Sequence, residues 1–94
     1  MVYKIHTGIL FQEICGRSFL IALRPAREDC PPIQEINDYG AFCWKYLEQG
    51  LDTEDILAAI AKEYKVHKKD ALEGLTAFID QLEMRHFLFP VKKS

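Results

Sequence analysis

Residues 33–50 read IQEINDYGAFCWKYLEQG, and the hydrophobic period changes in the middle of that run. Ile33-Gln34-Glu35-Ile36 has the length and β-branched ends of a short strand, in which strict alternation lets at most one of Ile33 and Ile36 point into a core. From Tyr39 the period is helical. Tyr39, Phe42, Cys43, Tyr46 and Leu47 follow the i, i+3, i+4, i+7, i+8 pattern of one apolar stripe, with Asn37 or Asp38 as cap and Gly50 as stop. Strands are therefore expected before Asn37 and helices after it.

On the amino-terminal side, Ile9–Ile14 and Ser18–Leu23 are period-two, β-branched and aromatic runs around the turn signal Gly16-Arg17, which predicts a hairpin. Arg24 to Pro32 holds Pro25, Pro31 and Pro32 and reads as a loop. On the carboxyl side, Asp52 reads as an N-cap with Asp55 at N3, and Leu51 and Ile56 stand at the staple positions. The second helix runs to about Tyr64 and should bury Ile56, Ile60 and Tyr64, with Leu57 and Ala61 beside them.

A third helix begins after Val66 and runs to about Arg85. Its cap falls on His67, and Lys68 and Lys69 stand at the positive dipole end, where only Asp70 is favourable. Ala71, Leu75, Phe78 and Leu82 make its core stripe, and Leu72, Thr76, Ile79 and Glu83 lie about 100° round from that stripe. Gly74 inside this helix costs about 1 kcal/mol against alanine; it is either tolerated or lets another backbone approach. Phe87-Leu88-Phe89 is expected as a short strand or a packed tail, and the end of the chain as loose.

The order is three antiparallel strands, three helices and an apolar tail. This is an α+β arrangement, a winged helix-turn-helix in which the small sheet is the wing. Its 94 residues form one domain: strands in 1–36, helices in 37–89 and a loose tail in 90–94. By surface scaling about 65% of the unfolded chain's surface can be buried, enough for one core.

Composition narrows the function classes. The chain is 49% apolar and 28% charged, with a formal charge of -2. Basic and acidic residues are nearly balanced in both halves, which argues against a polyanion partner. No apolar run approaches the roughly 20 residues of a membrane helix, and the amino terminus lacks a signal-peptide core, so a cytoplasmic location is expected, with no membrane partner. Cys15, Cys30 and Cys43 are too widely spaced for a Cys-x-x-Cys pair and read as reduced thiols. His6, His67 and His86 form no zinc-site spacing with them, and no phosphate loop or nucleophile elbow is present. The sequence points to no cofactor, no metal site and no catalytic residue. Asp52, Glu54 and Asp55 are explained by a helix start rather than by an acid–base pair.

Within 36–88, Ile36-Asn37 followed by Gly40-Ala41 and Trp44, then Asp52-x-x-Asp55-Ile56, Glu63-Tyr64-x-Val66, and Leu82 ahead of Phe87-Leu88 stand in the order and spacing of the PqqD family. The segment GILFQEICGRSFLIALRP resembles that family's opening hairpin, so the resemblance covers nearly the whole chain. It departs at His67, where the family often has an acid, and at Ile36, where it often has leucine.

The resemblance implies a peptide-binding recognition element of a pathway that modifies ribosomally made peptides. Its partners are then the leader segment of a precursor peptide and a modifying enzyme, of the radical S-adenosylmethionine type. The leader adds as a strand to the edge of the third strand and packs on the third helix. The residues support such an edge, because the last strand of a three-stranded meander carries unpaired N–H and C=O groups. The expected peptide-binding residues are Ile33, Gln34, Glu35 and Ile36 on the strand and Leu72, Thr76, Ile79 and Glu83 as the helical shelf; Leu72 and Ile79 are equally the wide edge of an ordinary core stripe.

Two other uses of the same fold remain. A DNA-binding regulator would draw on Lys62, Lys65, Lys68 and Lys69, but Asp70, Glu73, Asp80 and Glu83 on the third helix oppose phosphate. An exposed strand edge also invites a homodimer by edge pairing or swapping.

Overall fold

The computed structural model describes residues 1–91. The chain forms β1 (Val2–Ile5), β2 (Ile9–Ile14), β3 (Arg17–Ala22), a 3-10 turn at Ala26–Glu28, β4 (Ile33–Ile36), α1 (Asp38–Glu48), α2 (Thr53–Tyr64), α3 (Lys68–Met84) and β5 (Leu88–Val91). β2, β3 and β4 make an antiparallel sheet in that order, the predicted wing, and α1 to α3 follow it. This is the α+β arrangement read from the sequence.

A second sheet was not expected. β1 pairs antiparallel with β5, with Val2 opposite Val91 and Ile5 opposite Leu88, so the two ends of the chain form one ribbon. Pro90 and Val91, expected in a loose tail, are paired with Tyr3 and Val2; positions 92–94 of that tail lie outside the described residues. Proline is accommodated because β5 has a ladder on one side only. β1 escaped detection because four residues with three half-buried positions give almost no alternation signal.

The hairpin turn also sits one residue earlier than expected. Cys15 and Gly16 both have positive φ, 52° and 77°, the signature of the two-residue turn whose twist matches its strands, and Arg17 already belongs to β3.

Asn37 rather than Asp38 caps α1, its Oδ1 accepting from the Gly40 N–H at 2.7 Å. Asp52 caps α2 by accepting from Glu54 N–H at 2.9 Å, and α2 closes on Lys65 in the left-handed conformation. His67 makes no side-chain cap to α3. The core joins every layer: Leu20 of β3, Cys43 and Trp44 of α1, Ile56 and Ile60 of α2, Leu75 and Leu82 of α3, and Phe87 and Leu88 at the ribbon are all essentially buried. Tyr64, expected inside, is 43% exposed. Phe78 is only half-buried, at one side of the α3 stripe rather than in its middle.

Candidate functional site

β4 is paired on one side only. The Ala22 N–H donates to Pro32 O at 2.9 Å, and the register sets Leu20 opposite Gln34 and Ser18 opposite Ile36. Antiparallel ladders alternate, so Pro32, Gln34 and Ile36 direct their main-chain groups to β3, while Ile33 and Glu35 direct N–H and C=O to the open side. One of these open groups is already engaged, since Gln34 Nε2 donates to Glu35 O at 3.0 Å.

The side chains alternate in the opposite sense. Ile36 is buried, whereas Ile33 and Glu35 are exposed on the outer face of the sheet. Glu35 is held there by Arg17, whose Nε and Nη2 donate to its two carboxylate oxygens at 2.8 and 2.6 Å. The guanidinium of Arg17 also sits 5.9 Å from the Phe19 ring centre. This fork-to-fork geometry is specific, but both partners are solvated, so its contribution to stability is small.

A cavity of about 240 Å³ opens between the free edge of β4 and α3. Gln34, Glu35, Ile36 and Asn37 line one wall, and Phe78, Gln81 and Leu82 the other. Ile36, Phe78 and Leu82 supply its apolar lining, and three carboxamides, of Gln34, Asn37 and Gln81, border it. β2 is also an edge strand. β4 differs in having main-chain donors and acceptors beside a walled groove.

The eight residues expected to bind peptide divide three ways. Gln34, Glu35 and Ile36 border this cavity. Ile33, 63% exposed, lies instead on the outer sheet face with Ile14, Phe19 and Ile21. Leu72, Thr76 and Ile79 are not beside β4: they line a separate small cavity with Met1, Tyr3 and Asp80 on the opposite flank of α3. Glu83 lies on that flank as well, near Tyr3, whose hydroxyl pKa is raised by burial first and then by the acids Glu83 and Asp80 beside it.

The reason is angular. A core stripe of Ala71, Leu75 and Leu82 has two flanks about 100° round on either side. Periodicity alone does not say which flank meets β4. The β1–β5 ribbon, unseen in the sequence, takes the Leu72 flank and leaves the Phe78–Gln81 flank to β4. The signal that existed was Phe78 itself, an aromatic at the margin of the stripe with Gln81 three residues on.

Two glycines set the approach of α1 to α3. A Cβ on Gly40 would stand 2.8 Å from the Phe78 ring, and one on Gly74 would stand 2.7 Å from the Tyr39 hydroxyl. Gly74 is thus a close-approach position. Tyr39 donates to Ala71 O at 3.4 Å, and burial pushes its hydroxyl pKa up to about 12. Burial likewise raises the Cys43 thiol to about 11, the neighbouring Tyr39 opposing the rise. All three cysteines are free thiols, and Cys43 and Cys30 are buried ones.

Among the described residues no three His, Cys, Asp or Glu side chains gather as a metal site. Among the same residues no helix is long and apolar enough to cross a membrane. The lysine cluster at the α2–α3 junction is exposed, but so are Asp70, Glu73 and Asp80 on α3, which weakens the case for a DNA phosphate backbone there.

A winged helix-turn-helix with an open strand edge over a helix-walled groove is a scaffold suited to holding an extended chain. Residues 31–88, which run from just before β4 through α3 to the start of β5, match the family Coenzyme PQQ synthesis protein D (PqqD), and the chain belongs to that family. Among solved structures, "TbiB1 in Complex with the TbiA(beta) Leader Peptide" is similar over 96% of this chain and 99% of that one, with a TM-score of 0.78 and 23% identity, a likeness of fold. No curated protein matches the chain.

Proposed function

We propose that this protein is a non-catalytic recognition element that captures the leader segment of a ribosomally made precursor peptide by strand addition to β4. One observation carries the reading: Ile33 and Glu35 turn main-chain groups that no strand pairs to the open side of β4, beside a groove walled by Phe78, Gln81 and Leu82. A leader strand laid there gains main-chain hydrogen bonds from Ile33 and Glu35 and places alternate side chains in the groove. The Gln34 carboxamide, now on Glu35 O, gives way to the incoming N–H.

Membership of the PqqD family supports this use, as does the leader peptide bound to the similarly folded TbiB1. The captured leader is presented to a modifying enzyme of the radical S-adenosylmethionine type. The same edge gives a second copy of β4 a place to pair, so a homodimer competes with the leader.

The test uses the leader of a short precursor encoded beside the gene. Glu35→Pro deletes an N–H that faces the ligand and leaves the β3 ladder intact, because that ladder uses Gln34 and Ile36. Leader affinity is expected to fall at least tenfold in Glu35→Pro and to change less than threefold in Glu35→Ala, measured by fluorescence anisotropy. Equal affinity of the two variants sinks strand addition at β4.

A further inference from the structure

A second cavity, of about 350 Å³, opens on the helical side of the molecule and is almost wholly apolar. Tyr39, Ile60, Tyr64, Val66, Ala71 and Gly74 form it, and Asp70 stands at its rim. Its mouth is marked by two exposed apolar side chains, Tyr64 at 43% and Val66 at 39%. The walls are braced from behind: Tyr64 packs on Tyr39 and on Phe42, each with ring centres 5.6 Å apart. An apolar, solvent-open hollow with rigid aromatic walls is costly to leave wet and suited to a ligand side chain.

Its position gives the ligand. Asp70 and Gly74 belong to the same flank of α3 as Phe78 and Gln81, which wall the cavity beside β4, and Ala71 of the core stripe stands next to them. On the facing side, Asn37 borders the first cavity and Tyr39, two residues on, borders the second. The two hollows are thus stations on one track. They are separated by a saddle where half-buried Tyr39 lies on Gly74 and half-buried Phe78 lies on Gly40. At 1.5 Å rise per residue the centres of the two α3 stretches are about 11 Å apart, the span of three or four extended residues.

We propose that the second cavity is a further subsite for the peptide bound at β4. It takes one bulky uncharged side chain, aromatic or branched aliphatic, from the stretch that continues past Ile36 beyond the paired strand. The proposal rests on strand addition at β4. Charged side chains are excluded by the apolar walls, and acidic ones further by Asp70 at the rim. Gly74 is a positioning residue in this site, because any side chain there would displace Tyr39 from the wall.

The test needs no knowledge of the natural leader. Random 20-residue peptides displayed on phage are selected on the wild-type protein, and those lost on Glu35→Pro are retained. Dye-labelled synthetic copies are then titrated against wild type, Tyr64→Ser and Val66→Ser, whose mutated positions are exposed enough to leave folding intact, as thermal unfolding checks. The retained peptides should carry a large apolar residue three or four positions from the paired segment. Alanine at that residue and Tyr64→Ser should each weaken binding about tenfold, and the two together no more than either alone. If both serine variants bind within twofold of wild type, or the two losses simply multiply, the subsite is overturned while strand addition stands. If no selected peptide depends on Glu35, strand addition fails and the subsite with it.

Discussion

On one flank of α3, Leu72, Thr76 and Ile79 share a small cavity with Met1 and with Tyr3 of β1; on the other, Phe78 and Gln81 face β4 across an open groove. Both flanks border the same core stripe, and both meet an edge of β-structure. The difference is what the chain does with its own ends. It folds β1 and β5 into a ribbon beside the first flank, where Ile79 is buried although Leu72 and Thr76 stay exposed, and Pro90 removes a donor from that ribbon. The second flank keeps β4 with unpaired main-chain groups. The candidate site is the part of the fold that the chain does not cover for itself.

The largest contrast between the flanks is expected from a charge placed on each. Ile79 is 4% exposed, so Ile79→Asp buries an unpaired carboxylate and should cost about 3–5 kcal/mol, enough to unfold much of a small domain. Phe78 is half-buried and borders the groove, so Phe78→Asp should leave a cooperative thermal transition and lose peptide affinity by about thirtyfold. Circular dichroism melts and anisotropy titrations separate the two. A folded Ile79→Asp protein with abolished binding would return the site to the ribbon flank. A smaller effect follows for Thr76→Glu: Thr76 is exposed on the covered flank, and stability should move by about 0.5 kcal/mol or less with affinity unchanged within twofold.

The strands of the wing, the three helices and their caps at Asn37 and Asp52 were legible because each rests on local signals, namely period, turn residues and cap chemistry. Half of the candidate site was legible for the same reason, since Ile33–Ile36 announces itself as a strand. What escaped came from non-local pairing. β1 is too short to show alternation, and only its contact with β5, nearly the whole chain away, makes it a strand. Without that ribbon nothing separates the two flanks of α3, so Leu72 and Ile79 are as good a shelf as Phe78 and Gln81. The exposure of Tyr64 has a different origin. Its position on the α2 stripe is right for burial, but α2 ends there and the ring closes over Tyr39 and Phe42 at the surface.

The ribbon flank carries a pH-dependent tie that the β4 flank lacks, and this yields the smallest expected effect. His6, just after β1, has Nε2 2.9 Å from the Asp29 carboxylate and Nδ1 2.9 Å from Thr7 O. Both ring nitrogens thus face acceptors, so the doubly protonated imidazolium satisfies both, whereas a neutral ring satisfies only one. The hydrogen bond to Asp29, then that to Thr7 O, raises the His6 pKa above 6.5. A folded-state pKa above the unfolded one means that the tie contributes fully below pH 6.5 and is lost as pH rises through the raised value. Wild type should therefore lose a small part of its thermal stability in that window. His6→Gln should lack that loss, and its melting temperature should converge on that of wild type at alkaline pH. Peptide affinity at β4 should not follow the same titration, because His6 and Asp29 do not line the groove. A parallel pH dependence of binding would show that the covered and open flanks of α3 are coupled rather than independent.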